Sequence, residues 1–185
     1  MAATQISRTG YGQLEPNHLS AQKTGQIYAQ LPARFVDTNN NNAVKPIAQL
    51  EQGQFLKYNY AAGRAGLDGD GEWMLVYCEE KLYDERQQHH KDFVLKATDF
   101  SDGEIYPRLL KTNVGDIFTT NTFGANTSNA STVSGISLDV GNYLTVGNDG
   151  FLAAGTTASA APLFQVVKVY TMPDSQPGVK VQRVK

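Results

Sequence analysis

One short phrase occurs three times in this chain and restricts what the chain can become. The copies are Glu51-Gln52-Gly53-Gln54-Phe55-Leu56-Lys57, Asn113-Val114-Gly115-Asp116-Ile117-Phe118-Thr119 and Asp139-Val140-Gly141-Asn142-Tyr143-Leu144-Thr145. Each runs polar, any residue, glycine, amide or acid, two large apolar residues, then a polar one. Glycine reaches a positive φ without steric cost, so each phrase can turn the chain. The apolar pair after the turn then starts a buried strand. The copies are irregularly spaced, which argues against a solenoid. Shared strand-turn geometry explains the pattern better than internal duplication; chance recurrence at strand starts is the plain alternative. The expected product is a small sheet or barrel built from hairpins.

The 185 residues suit one domain with an appendage, or two small domains. A hydrophobic share of 41% supplies a core, while the charged share of 18% falls below the usual level of about 25%. The net charge of -2 argues against nucleic acid as a partner. The lone cysteine, Cys78, precludes an intrachain disulfide. It ends the longest apolar run, Trp73-Met74-Leu75-Val76-Tyr77-Cys78, far short of the roughly 20 residues of a membrane span. The first residues lack a basic stretch followed by an apolar one, so the expectation is a soluble product of the cytoplasm. Later assembly into a larger particle stays open.

Residues 1–46 read differently from the remainder. They hold the turn formers Gly10, Gly12, Pro16, Gly25, Pro32 and Pro46 and the polar run Asn39-Asn40-Asn41-Asn42. Their apolar residues stand singly, so the segment is not expected to bury itself. Two readings follow: a free tail, or an arm that gains order on a partner. We expect the arm, followed by a β-rich body over residues 47–185. That body has an optional division into 47–105 and 106–185.

Within the body, residues 47–60 read as a strand pair or a bent strand. The run from Glu72 to Lys81 is the clearest strand. Trp73, Leu75 and Tyr77 share one side and Met74, Val76 and Cys78 the other, and apolar side chains on both sides place it centrally. Residues 79–92 are strongly charged and fit a short helix or a polar loop equally. Residues 93–95 return as a strand, and residues 105–112 form another that Pro107 pushes towards an edge or a strand start. Residues 124–135 form a low-complexity loop. Asn148-Asp149-Gly150 is a tight-turn signal, and residues 153–162 read as small and flexible. Residues 163–184 read as a terminal hairpin. The whole predicts about eight to ten strands, mostly β, in a small β-barrel or β-sandwich.

Candidate chemistry is sparse. Asp68-Gly69-Asp70-Gly71-Glu72 opens like a calcium loop but stops after three acids, and a solvated turn explains it better. His89-His90 with Glu85 lacks the third and fourth ligands of a zinc site. No nucleophile elbow, phosphate-binding loop or His-Glu-x-x-His is present. Paired carboxylates brought together by the fold remain open to an enzyme reading, which ranks last. No catalytic residue, metal or cofactor is expected.

Three phrases carry a family resemblance. The opening Thr9-Gly10-Tyr11-Gly12 with Leu14-Glu15-Pro16-Asn17-His18-Leu19-Ser20 and Gly25-Gln26-Ile27-Tyr28 resembles the N-terminal arm of small virion proteins of tailed bacteriophages. Leu50, Gly53 and Phe55-Leu56-Lys57-Tyr58 are similar to a turn-strand of capsid decoration, or cement, proteins. The ending Phe164-Gln165-Val166-Val167-Lys168-Val169-Tyr170-Thr171 looks like that group too. The resemblance implies a non-enzymatic auxiliary head protein on the outer surface of a virion. Its partner would be the major capsid protein, with self-association on the lattice, and neither nucleic acid nor membrane would be bound. The residues expected at the capsid contact are Ile6, Arg8, Tyr11, Leu14, His18, Leu19, Ile27, Tyr28 and Leu31. The alternative is a head-fibre or tail module that binds a host receptor or glycan through loops at 61–72, 84–91 and 124–135.

Overall fold

All three repeated phrases turn the chain as their glycines require. In the computed structural model Gly53, Gly115 and Gly141 have φ of 82°, 95° and 93°. Each occupies the third position of a four-residue turn, where a type II turn needs a positive φ. The fourth residue's N–H donates to the first residue's carbonyl: Gln54 to Glu51 (3.3 Å), Asp116 to Asn113 (3.0 Å) and Asn142 to Asp139 (3.1 Å). The fourth side chain then accepts from the first N–H, at 3.3, 2.8 and 2.9 Å respectively. Each glycine N–H donates to a neighbouring segment, at Val76, Arg183 and Val166. A strand leaves each turn: β7 (Phe55–Asn59), β12 (Ile117–Thr120) and β14 (Tyr143–Val146).

The structure describes residues 4–8, 12–20, 27–77, 94–124, 133–172 and 176–185, with backbone alone for 4–8, 17 and 133–137. The described chain is mostly β. Strand β2 (Leu14–His18), β12, β14, β15 (Leu152–Gly155), β16 (Leu163–Thr171) and β17 (Pro177–Arg183) form a six-stranded sheet in the order β15-β14-β16-β17-β12-β2. A five-stranded sheet runs β3 (Ile27–Tyr28), β11 (Leu109–Leu110), β9 (Met74–Val76), β7 and β8 (Arg64–Gly66). Three two-stranded ribbons complete it: β1 (Thr4–Arg8) with β13 (Val133–Leu138), β4 (Arg34–Asp37) with β5 (Ala43–Pro46), and β6 (Gln49–Glu51) with β10 (Val94–Lys96).

The five-stranded sheet has apolar side chains on both faces, as alternation along its strands requires. Phe55, Leu75 and Leu110 join Phe118, Phe164, Val166, Val179 and Val181 of the six-stranded sheet in one core. Phe55, Phe118 and Phe164 meet there with ring centroids 5.5–6.4 Å apart. Leu56, Tyr58, Met74, Val76 and Leu109 face the other way, into a second core with Ala33, Leu50 and Ile105. The expected two-sided burial at Met74, Leu75, Val76 and Tyr77 is therefore found.

The division at residue 46 is not. Residues 14–18 pair with β12, residues 27–28 with β11, and residues 4–8 with β13. Leu14 and Leu19 are 4% and 2% exposed in the main core. Single apolar residues sufficed because distant side chains supply the polar partners. The Asn39–Asn42 run closes the β4–β5 hairpin, with Asn41 and Asn42 at φ of 55° and 57°, a region asparagine tolerates better than most residues.

Other expectations shift locally. Strands β6 and β7 pair with different neighbours rather than with each other. The strand expected over 105–112 shrinks to Leu109–Leu110, two residues beyond Pro107, and lies inside its sheet. Residues 153–155, at the start of the stretch expected to be flexible, belong to β15. The turn at Gly150 (φ 79°) and the β16–β17 hairpin are where they were expected. Residues 79–92 lie outside the described residues, and so does most of the loop expected at 124–135.

Candidate functional site

The nine residues expected at a partner contact do not form one surface. Leu14 and Leu19 point into the core and are not available as outward anchors in this fold. Tyr28 and Leu31 are half-buried against the second core, and Tyr28 meets Tyr58 edge-on at 5.8 Å. His18 and Ile27 are exposed. Ile6 and Arg8 lie on β1 opposite Ile136 and Val133, with their side chains outside the described set, and Tyr11 lies outside it altogether.

Residues 12–20 are instead held in place. The Gly12 N–H donates to Oε2 of buried Glu51 (2.7 Å), and the Gln13 N–H to Oδ1 of buried Asn121 (2.7 Å). The Thr120 hydroxyl donates to the Gln13 carbonyl (2.7 Å). The Ser20 N–H and hydroxyl both donate to Oδ1 of Asp116, the N–H at 3.0 Å. Polar side chains inside the body therefore satisfy a segment that reads as solvent-facing by composition. Asp116 and Glu51 were legible as turn residues, but nothing local marked them as acceptors for Ser20 and Gly12, about a hundred and about forty positions away.

The acidic stretch at 68–72 is divided between bases. Asp68 pairs with Arg64. Glu72 accepts from Lys111 Nζ (3.0 Å) and Arg183 Nη1 (2.9 Å). Burial, the largest single influence, pushes the Glu72 carboxyl up, but those two hydrogen bonds and the positive charges together hold it below its ordinary value. Arg183 is nearly buried and also donates to the Thr112 hydroxyl (3.1 Å) and the Lys185 carbonyl (3.0 Å), anchoring the C-terminal end. Among the described residues no group of three or more His, Cys, Asp or Glu converges as a metal site. His89, His90 and Cys78 lie outside those residues.

The surface offers apolar side chains on firmly bonded backbone. Val114 and Val140, the second residues of two repeated turns, are 68% and 65% exposed. Tyr60 is equally open and leans on Tyr58 at 5.3 Å. Phe35 and Val44 are exposed on the β4–β5 hairpin. The sequence marks both valines as turn residues but not as exposed ones, since Gln52 in the same turn position is buried. A comparison with protein-family models, curated proteins and solved structures finds no match to this chain.

Proposed function

We propose that this chain is a non-enzymatic virion structural protein that decorates a phage capsid and stabilises it by bridging neighbouring major capsid subunits. We read its two large sheets as the layers of a β-sandwich body. The observation that carries the reading is the set of exposed apolar side chains on turns and a hairpin whose backbone is already hydrogen-bonded, Val114 and Val140 foremost. Docking such groups costs little ordering entropy, which suits a clamp on a lattice. The anchoring role first expected of residues 1–46 passes to the surface of the body, because Leu14 and Leu19 belong to the core. The phrases similar to cement proteins support the same reading, and self-association on the lattice would add avidity.

Tyr60, open to solvent beside the loop at 61–72, favours a second reading: a head-fibre or tail module that binds a receptor or glycan. Quantitative mass spectrometry of purified particles from the genome that encodes the chain separates the two. Hundreds of copies per particle support the lattice role. About a dozen or fewer, as at the vertices of an icosahedral shell, support the fibre. Absence from the particle overturns both.

A further inference from the structure

Strand β16 is nine residues long, but only its first half is flanked on both sides. Strand β14 pairs with residues 163–165, and the third repeated turn closes on Val166 through Gly141 and Asn142. That turn carries the chain away. From Val167 to Thr171 the described residues supply β17 as the one neighbour, which leaves an open strand edge.

The side chains there are of two kinds. A bulge between Val166 and Lys168 resets the alternation. Beyond it, Lys168 stands opposite Lys180, and Lys168 also lies 5.7 Å from the Tyr170 ring centroid. Among the described residues no carboxylate pairs with either lysine. Like charges directly across a strand pair are unfavourable. The row runs on through Thr119 to Glu15, which stands two strands beyond Lys180. On the opposite face Val169 stands opposite buried Val179 yet is 39% exposed, and Val167 and Val140 nearby are 37% and 65% exposed. A strand laid along this edge would continue the apolar row on one face and meet Lys168 on the other, with Lys180 one strand further in.

We propose that residues 167–171 of β16 form a docking edge for an extended segment of a partner protein in which acidic and β-branched residues alternate. Strand addition supplies main-chain hydrogen bonds, and alternate side-chain positions supply specificity. Acids on the partner would stand on the face that carries Lys168 and, one strand further in, Lys180, and its apolar residues would extend the row of Val169 and Val179. A second copy of β16 suits the edge less well, because antiparallel self-pairing brings lysine towards lysine.

The probe is a fluorescent peptide, Thr-Val-Glu-Val-Glu-Val-Thr, titrated against the full chain, with a control peptide carrying lysine for each glutamate. The acidic peptide should bind the wild-type chain and slow hydrogen exchange of the amides at 167–171. Lys168→Glu with Lys180→Glu, checked for unchanged circular dichroism, should weaken it by about tenfold or more and favour the lysine peptide instead. No binding of the acidic peptide, equal binding of both peptides, or unchanged exchange at 167–171 overturns the proposal. So does self-association of the double variant without a swap in peptide preference, because the lysines would then serve only to keep copies of this edge apart.

Discussion

The turn at residues 51–54 and those at 113–116 and 139–142 have the same phrase, the same glycine conformation and the same pair of closing hydrogen bonds. Their surroundings differ. Gln52 is 4% exposed, whereas Val114 and Val140, in the same position, are 68% and 65% exposed. A Cβ on Gly53 would lie 2.6 Å from the Thr120 hydroxyl and 2.8 Å from that of Thr122, while one on Gly115 or Gly141 would meet nothing within 4 Å. The first turn is wedged against the segment that also holds residues 12–14; the third stands in solvent, and the second is open at Val114 while its Asp116 is 1% exposed. Turn formation is thus a local property and burial is not, and a polar residue can be the buried one when the fold closes over it.

Gly53→Ala should have the largest effect. The left-handed backbone costs an alanine about 1–2 kcal/mol, and the clash with two buried threonines adds a comparable overpacking term, for about 3 kcal/mol in all. Gly115→Ala and Gly141→Ala should each lose only the first part, about 1–2 kcal/mol. Urea unfolding of the three variants reads the difference, and equal losses would break the contrast between wedged and open turns. Next comes the side chain that closes the turn. Asp116→Ala removes the acceptor for Asn113 and for both Ser20 donors, at a cost of about 2–3 kcal/mol. Asn142→Ala, on the exposed turn, should cost about 1 kcal/mol or less. Faster hydrogen exchange at Ser20 in the Asp116 variant would locate the loss at the leading segment.

The smallest effect depends on pH. The Gly115 turn seats on the Arg183 carbonyl, and Arg183 is held by Glu72. The Glu72 carboxyl sits below its ordinary value in the folded chain, so its contribution is present above the unfolded value of about 4.3 and is lost as pH falls through the lower folded value. Because Glu72 is partly solvated, Glu72→Gln should cost only about 1 kcal/mol at neutral pH, and the gap should close in acid. A gap that persists below the folded value would remove Glu72 ionisation as the cause.

Some of this was legible before any coordinates. The apolar run at 73–77 has large side chains on both sides, and such a strand must lie between two cores; Leu75 and Tyr77 line one and Met74 and Val76 the other. The terminal hairpin was readable from β-branched alternation on either side of a turn-rich stretch. The leading segment was misread because Leu14 and Leu19 are isolated and β2 contains Pro16. Proline is tolerated there because β2 is an edge strand. The residues nominated for a partner contact scattered between core and surface for the same reason: composition does not say which side of an edge strand faces inward.

The amino-acid sequence alone determined where this chain turns and which strands carry two apolar faces. Both depend on a few adjacent residues, through the φ that glycine permits and the alternation of side chains along a strand. Tertiary structure decided that residues 12–20 complete a sheet, that Gln52 is buried while Val114 and Val140 are open, and that among the described residues half of β16 has β17 as its one neighbour. Those outcomes rest on acceptors and surfaces brought together from up to about a hundred residues away, such as Asn121 at the Gln13 amide.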